Sequence, residues 1–392
     1  MNLLLKHTHW ILYLVVFTLP MYTKVNNGFL VLYIGLRLVE ILSNPTKSNI
    51  KKILLRGIPV FAFFVLAMLA AFRSWDWENI YYLETHLSLL FVPIVLISES
   101  GLDTEKRRKM FLALVFGCLV TLAICYINLI LGILSKEESW GNWFAWDNIG
   151  HGFTAVADTH PTYLGLFIAT SILFLIQDES FSKLWKYFFL IVFVFGLFQL
   201  ASDMVVLLLF MFFVYLAISK VSTYRQQLMV LVSGIGVCAL VFWTMGDKYM
   251  NNRMFSVDSI LDEKRIERWE VSYEIFKENP FFGVGFAEID SIRRQKYMDG
   301  DYSLAEANDL NAHNQFLEYL SINGAIGGFT YIMSLGLLFL LSVYRKDYLF
   351  TFIFFVFILA NITESTLVRI KGVEYFALFS SLFLSWTNRT KK

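Results

Sequence analysis

Two stretches carry residues whose types and spacing suit chemistry on an anion. The first, "DEKRIERWEVSYEIFKENPFFGVGF" (Asp262 to Phe286), places Arg265 and Arg268 close together on the chain. Guanidinium groups stay charged and grip phosphate or carboxylate oxygens two at a time. The second, "NAHNQFLEYLSINGAIGGF" (Asn311 to Phe329), opens with His313 beside Asn314. An imidazole with an unperturbed pKa of ~6.5 suits proton transfer, or hydrogen bonding to a phosphate, at neutral pH. Each stretch also has a plainer reading. Arginines on an interfacial helix snorkel or pair with neighbours such as Glu267 and Glu270, and a histidine at the end of a membrane helix serves as a polar anchor.

The elements that must position these groups follow from periodicity. Ile266, Trp269, Tyr273 and Phe276 recur at helical spacing, with Arg265, Arg268 and Ser272 on a neighbouring face. The expectation is a helix lying apolar side down over the membrane, with two guanidiniums at its rim. Pro280 should end it, because the residue before a proline leaves the helical region. Gly283 and Gly285 permit a turn or a close backbone approach. Asn311 is the expected cap of a helix starting near His313. Gly324, Gly327 and Gly328 let a neighbouring helix come close.

The chain around them has 392 residues, 57% of them hydrophobic and only 17% charged. Soluble domains usually carry ~25% charged residues. Apolar runs recur along its length, without the alternation of outer-membrane strands. The fold class expected is all-α: a polytopic integral membrane protein of about twelve transmembrane helices. The spans read as 9–22, 27–43, 54–72, 80–98, 110–134, 161–177, 186–201, 203–219, 228–245, 318–342, 348–362 and 372–387. The first run lacks a small-residue cleavage site, so no cleavable signal is expected. The domain reading is 1–245 for spans 1–9 with an outer loop at 135–160, then a large loop at 246–312 between spans 9 and 10, then 313–392 for spans 10–12.

Basic residues cluster in one set of connections (Lys47, Lys51, Lys52 and Arg56; Lys106, Arg107, Arg108 and Lys109; Lys183 and Lys186) and are sparse in the other. That bias puts both termini in the cytoplasm and both long loops outside. The net charge of +1 identifies no partner. The large loop is acidic, so its arginines are no diffuse basic patch and no nucleic acid is expected as a partner. Cys118, Cys125 and Cys238 lie in apolar runs and read as buried small hydrophobes.

Other polar residues have open readings. His86 with Glu84, and Glu364 with Arg369 and Lys371, are site residues or buried and interfacial anchors. Asp158 or Thr159 is expected to cap the helix opened by Pro161. His151 with His160 reads weakly as a metal pair. Trp140, Trp143 and Trp146 form an interfacial belt or a glycan-stacking surface.

"RIERWEVSYEIFKENPFFGVGF", a polar stretch, and then "AHNQFLEYLSINGAIGGFTYI" resemble the signature of the O-antigen ligase superfamily. Its elements appear in order: an arginine ahead of a tryptophan, N-P-x-x-G-x-G, a loop, and H-N-x-x-L followed by G-x-x-G. The related region is about 185–345. "HLSLLFVPIVLI", "HPTYLGLFIA" and "NITESTL" are similar to weaker family segments. One position departs: where many members carry Ser-Arg at a middle span, this chain reads Ser202-Asp203.

The resemblance implies an enzyme that moves a glycan from undecaprenyl pyrophosphate to an acceptor hydroxyl. The acceptor would be a glycolipid such as the lipid A core, and the reaction would take place on the periplasmic face of the bacterial inner membrane. A polysaccharide polymerase of the same superfamily and a lipid-linked glycan transporter are the alternatives. The implied roles are catalytic for His313 and Arg265. Arg268, Asn314, His86 and Glu364 are implied in substrate binding. No cofactor and no metal are expected.

Overall fold

The computed structural model describes residues 8–43, 47–73, 80–98, 102–136, 140–200, 213, 223–245, 265–300, 302 and 311–386. Its helices in chain order are α1 (Thr8–Thr18), α2 (Thr23–Ser43), α3 (Lys47–Arg73), α4 (Ile80–His86), α5 (Ser88–Ser98), α6 (Thr104–Ser135), α7 (Gly150–Thr154), α8 (Pro161–Gln177), α9 (Lys183–Gln199), α10 (Tyr224–Met245), α11 (Arg265–Glu278), α12 (Phe286–Asp299), α13 (Gln315–Tyr344), α14 (Tyr348–Thr363) and α15 (Ile370–Ser385). Among the described residues there is no strand. Five helical runs are long and apolar enough to cross a membrane: Thr23–Ser43, Ile50–Arg73, Tyr81–Ser98, Thr104–Ser135 and Gln315–Tyr344. A sixth is the pair Gly150–Ala157 and Pro161–Gln177, bent by 79°. The chain is thus a multi-pass membrane protein, helical throughout its described membrane-crossing runs. The expected span at 203–219, Phe213 apart, lies outside the described residues.

The chain divides into two compact units. The first comprises Met1–Ile11, Leu30–Arg107 and Asp262–Lys392; the second comprises Leu12–Phe29 and Arg108–Leu261.

In the first unit, α13, α14 and α15 are tied at both ends. At one end Arg107 reaches both carboxylate oxygens of Asp347, at 3.0 and 2.9 Å, and lies over the rings of Phe350 and Trp386. Arg345 donates there to the Phe383 and Trp386 carbonyls. At the other end Asn314 donates to the Ile362 carbonyl, and the Leu367 N–H donates to Gln315. A straight helix the length of α13 would run ~45 Å and one the length of α14 only ~24 Å. Two such helices meet at both ends only if the longer one bends. It bends at Gly324, whose φ of 64° and ψ of −155° break the helix. The part from Ala325 to Tyr344 is ~30 Å long and matches the hydrocarbon thickness by itself.

A break in a membrane helix exposes backbone groups that lipid cannot satisfy. Here the turn joining α11 to α12 satisfies them. Val284 and Gly285 N–H donate to the Ser321 and Ile322 carbonyls at 3.0 and 2.9 Å, and Ala325 N–H donates to the Pro280 carbonyl at 2.8 Å. This exchange explains the N-P-x-x-G-x-G spacing. The helix ends at Glu278, ahead of Pro280 as expected. Gly283 and Gly285 hold φ of +64° and +80°. A Cβ on Gly283 would strike the backbone of Ile322 and Asn323, and one on Gly285 would strike the Ala70 carbonyl.

Small residues on α3 complete the seat. Ala67, Ala70 and Ala71 pack with Val271, Ile275, Val284, Phe286, Ile289, Tyr297 and Ile322 in one buried cluster. Full burial of Val271 and Ile275 contributes roughly 2 kcal/mol each relative to exposure, which fixes the face that α11 presents. Arg268, Val271, Ser272 and Ile275 point inward, whereas Ile266 and Tyr273 are 41% and 48% exposed. A stripe of apolar residues next to a membrane can face lipid as well as protein, and periodicity alone does not say which side packs inward.

In the second unit, Gln199 is fully buried and braces the loop after α6, accepting from Trp143 and donating to the Trp143 and Asn148 carbonyls. The N-cap of α8 is His160, whose Nδ1 accepts from Thr162 N–H. Asp158, expected as that cap, instead takes φ 49° and accepts from Thr23 N–H. The His151 and His160 rings meet edge to face at 4.3 Å. Trp140 and Trp143 stack at 6.2 Å, with Tyr126 stacked on Trp143 in turn.

Candidate functional site

The site is built where α11, α13, α14 and α15 meet in the first unit. His313 precedes α13 with φ +45°, a setting uncommon for residues other than glycine. Its N–H donates to Asn311 Oδ1 at 3.0 Å. Asn311 therefore turns the chain instead of capping the helix. The cap is Asn314, whose Oδ1 accepts from the N–H groups of Phe316 and Leu317 while its Nδ2 donates to the Ile362 carbonyl. With oxygen and nitrogen both engaged, the Asn314 amide serves the helix start.

Glu364 closes the C-terminus of α14 and brings Oε1 to 3.5 Å from His313 Nδ1. That is longer than a good hydrogen bond, but such contacts tighten when substrate binds. The two side chains are 27% and 14% exposed, so the pair keeps an opening. Burial, then the positive charges of Arg268, Arg265, Arg369 and Arg293, push the His313 imidazole down to about 3. It is neutral at pH 7. Burial raises the Glu364 carboxyl against the pull of Arg369, the Ser365 N–H, Arg265 and Arg268.

The electrostatic picture is a neutral imidazole beside a carboxyl, in the field of four guanidiniums drawn from α11, α12 and the start of α15. Arg268, buried on the inward face of α11, acts on His313 more strongly than Arg265. Arg293 was not singled out in the sequence; it lies on α12 and gives no local signal.

His86 is placed differently. It is buried with Nδ1 2.6 Å from the Tyr82 carbonyl and Nε2 3.1 Å from the Leu367 carbonyl. Its ring also packs beside Phe286, which stacks on Tyr82. The backbone occupies both ring nitrogens, so His86 braces α4 against the turn after α14. Lys371 and Glu374 are buried together in the first turns of α15. Asp203 lies outside the described residues. Among the described residues no three His, Cys, Asp or Glu side chains converge as metal ligands would.

Residues 187–332 match the family model described as O-antigen ligase. Over that stretch the chain is similar to the O-antigen ligase family. No curated protein matches it. The O-antigen ligase match takes in both arginines of α11, the interlocked turn, Arg293, His313 and the Gly324 break; Glu364 and Arg369 lie beyond it.

Proposed function

We propose that this protein is a metal-independent glycosyltransferase of the O-antigen ligase family that moves a glycan from undecaprenyl pyrophosphate to an acceptor hydroxyl such as one on the lipid A core. It would do so at the periplasmic face of an inner membrane crossed about twelve times. The observation that carries the reading is a neutral His313 beside Glu364 within the field of four arginines. A cluster of guanidiniums such as Arg265, Arg268 and Arg369 suits a diphosphate, and it would stabilise the charge that builds on that leaving group as the glycosyl bond breaks. His313 would take the proton from the acceptor hydroxyl, with Glu364 steadying the imidazole. The bond formed is acceptor oxygen to anomeric carbon; the electron pair of the broken bond leaves with the polyprenyl pyrophosphate.

The test is transfer by purified protein in detergent, given a polyprenyl-pyrophosphate glycan and a core glycolipid. Product should form, and EDTA treatment should leave the rate unchanged. A rate lost to EDTA and restored by Mg²⁺ or Mn²⁺ would overturn the arginine-based mechanism. Absence of product with either a core glycolipid or a second carrier-linked glycan as acceptor would overturn the transferase reading.

A pH dependence follows from the same charges. In the free protein, protonation of His313 is suppressed well below the usual ~6.5, to about 3. The acid limb of kcat/KM should therefore lie far below that value. Bound pyrophosphate offsets Arg268, Arg265, Arg369 and Arg293 and makes the imidazolium easier to form. The acid limb of kcat, which reports the complex, should fall at higher pH than that of kcat/KM. Coincident limbs in the two profiles would remove the arginines from the neighbourhood of the base.

Topology is tested through Ser291, exposed on α12. Its replacement by cysteine, in a chain lacking the native thiols, should be labelled by an impermeant maleimide in intact spheroplasts. Labelling only after lysis would put the site on the cytoplasmic side.

A further inference from the structure

Glu318 is 3% exposed and sits one turn into α13, where it touches two things at once. Both its carboxylate oxygens lie within reach of Arg293 Nη2, at 3.0 and 3.1 Å, and its Oε2 also accepts from the Ala312 N–H at 3.0 Å. Arg293 is itself 4% exposed and comes from α12, with Asp290 3.8 Å away on its open side. A buried ion pair is seldom the most stabilising way to fill such a space, since two apolar side chains often do as well or better. What the pair adds here is an acceptor directly beneath the residue that precedes His313. With Asn311 Oδ1 holding the His313 N–H, two successive backbone amides leading into a residue at φ +45° are pinned. Left-handed settings of this kind persist only where surrounding contacts over-determine them.

We propose that Glu318 and Arg293 are positioning residues: Arg293 holds the Glu318 carboxylate under the Ala312 N–H, and that contact keeps His313 in the left-handed setting that turns its imidazole toward Glu364. This rests on the transferase reading given above. Neither residue touches the reacting atoms. The plainer alternative is that the pair only seals the start of α13.

Two double variants separate these roles. E318Q/R293M and E318L/R293M both remove the buried charges and keep similar volume, but only the first retains an oxygen for Ala312 N–H. The expected result is a kcat for E318L/R293M about 30-fold or more below that of E318Q/R293M, with the donor KM alike in both, because small misplacements of a base act on rate. A second readout needs no turnover. Neutral imidazoles react with diethyl pyrocarbonate, and the rate of His313 acylation, followed by peptide mass spectrometry at pH 7, should differ between the two variants.

Equal kcat and equal acylation rates at equal membrane levels would overturn the positioning role. Absence of transfer by the wild-type protein would overturn the transferase reading instead, with acylation still deciding the positioning role. Should E318L/R293M fail to accumulate, Asn311→Ala carries the test at the neighbouring amide. A fall in kcat alone supports the proposal there, and wild-type kcat with wild-type acylation overturns it.

Discussion

Transfer by the His313→Ala protein should fall by ~10²–10⁴-fold, the contribution of a well-placed acid–base group, while the protein accumulates normally in the membrane. Arg268→Ala should lose ~10²–10³-fold, as when one preorganised donor is removed from a developing negative charge. Arg265→Ala should be impaired as well, but less, because Arg268 is the buried member and acts more strongly on the imidazole. Combining either arginine change with His313→Ala should add little, since members of a working unit fail together. Lysine should not rescue either arginine, because a point charge cannot reproduce a two-pronged grip. Arg294→Ala, on the exposed side of α12, is the control and should be mild. Near-normal transfer by His313→Ala at wild-type protein levels would return this histidine to the role of an anchor.

The second large effect belongs to the interlocked turn. Gly283→Ala and Gly324→Ala should each destabilise by roughly 3 kcal/mol or more, combining an unfavourable positive φ with a steric clash. Both glycines hold φ of +64°, and an added Cβ would strike backbone across the break in either case, which cannot move aside as a side-chain tip can. Gly336, on the same helix, has open space around its Cβ position. Gly336→Ala should be neutral or slightly stabilising, since alanine is the better helix former. Thermal unfolding in detergent, with membrane accumulation alongside, measures the three together. A Gly324→Ala protein that unfolds at the wild-type temperature would mean that the break is not held as described.

These two expectations also mark what could be read from residues alone. The helix at 265–278, its end ahead of Pro280 and the close approach at Gly283 follow from local rules, because each depends on a residue and its near neighbours. The facing of α11 does not. Spacing identifies residues that share a side, but next to lipid the apolar side carries no instruction to turn inward, and Val271 with Ile275 took that place. The helix cap was misassigned because asparagine stands at both 311 and 314, and only the backbone setting of His313 separates a chain-turning amide from a capping one. Pairings such as Arg293 with Glu318 or His313 with Glu364 join distant parts of the chain. Periodicity is blind to them, although an acid inside an apolar run is a signal that Glu318 does give.

The exchange of backbone partners at Gly324 also has a bearing on how the protein is made. Residues 280–285 leave the ribosome before 321–325 do. Until the later helix is inserted, the Val284 and Gly285 amides have only water as partners; until the turn docks, the broken helix carries carbonyls that hydrocarbon cannot satisfy. Neither half is comfortable in its final environment without the other. The same docking event that lets α13 rest in the bilayer brings Arg268 up to His313. A chain caught midway through insertion would therefore hold its reactive groups apart, and competence would arrive together with completed membrane integration.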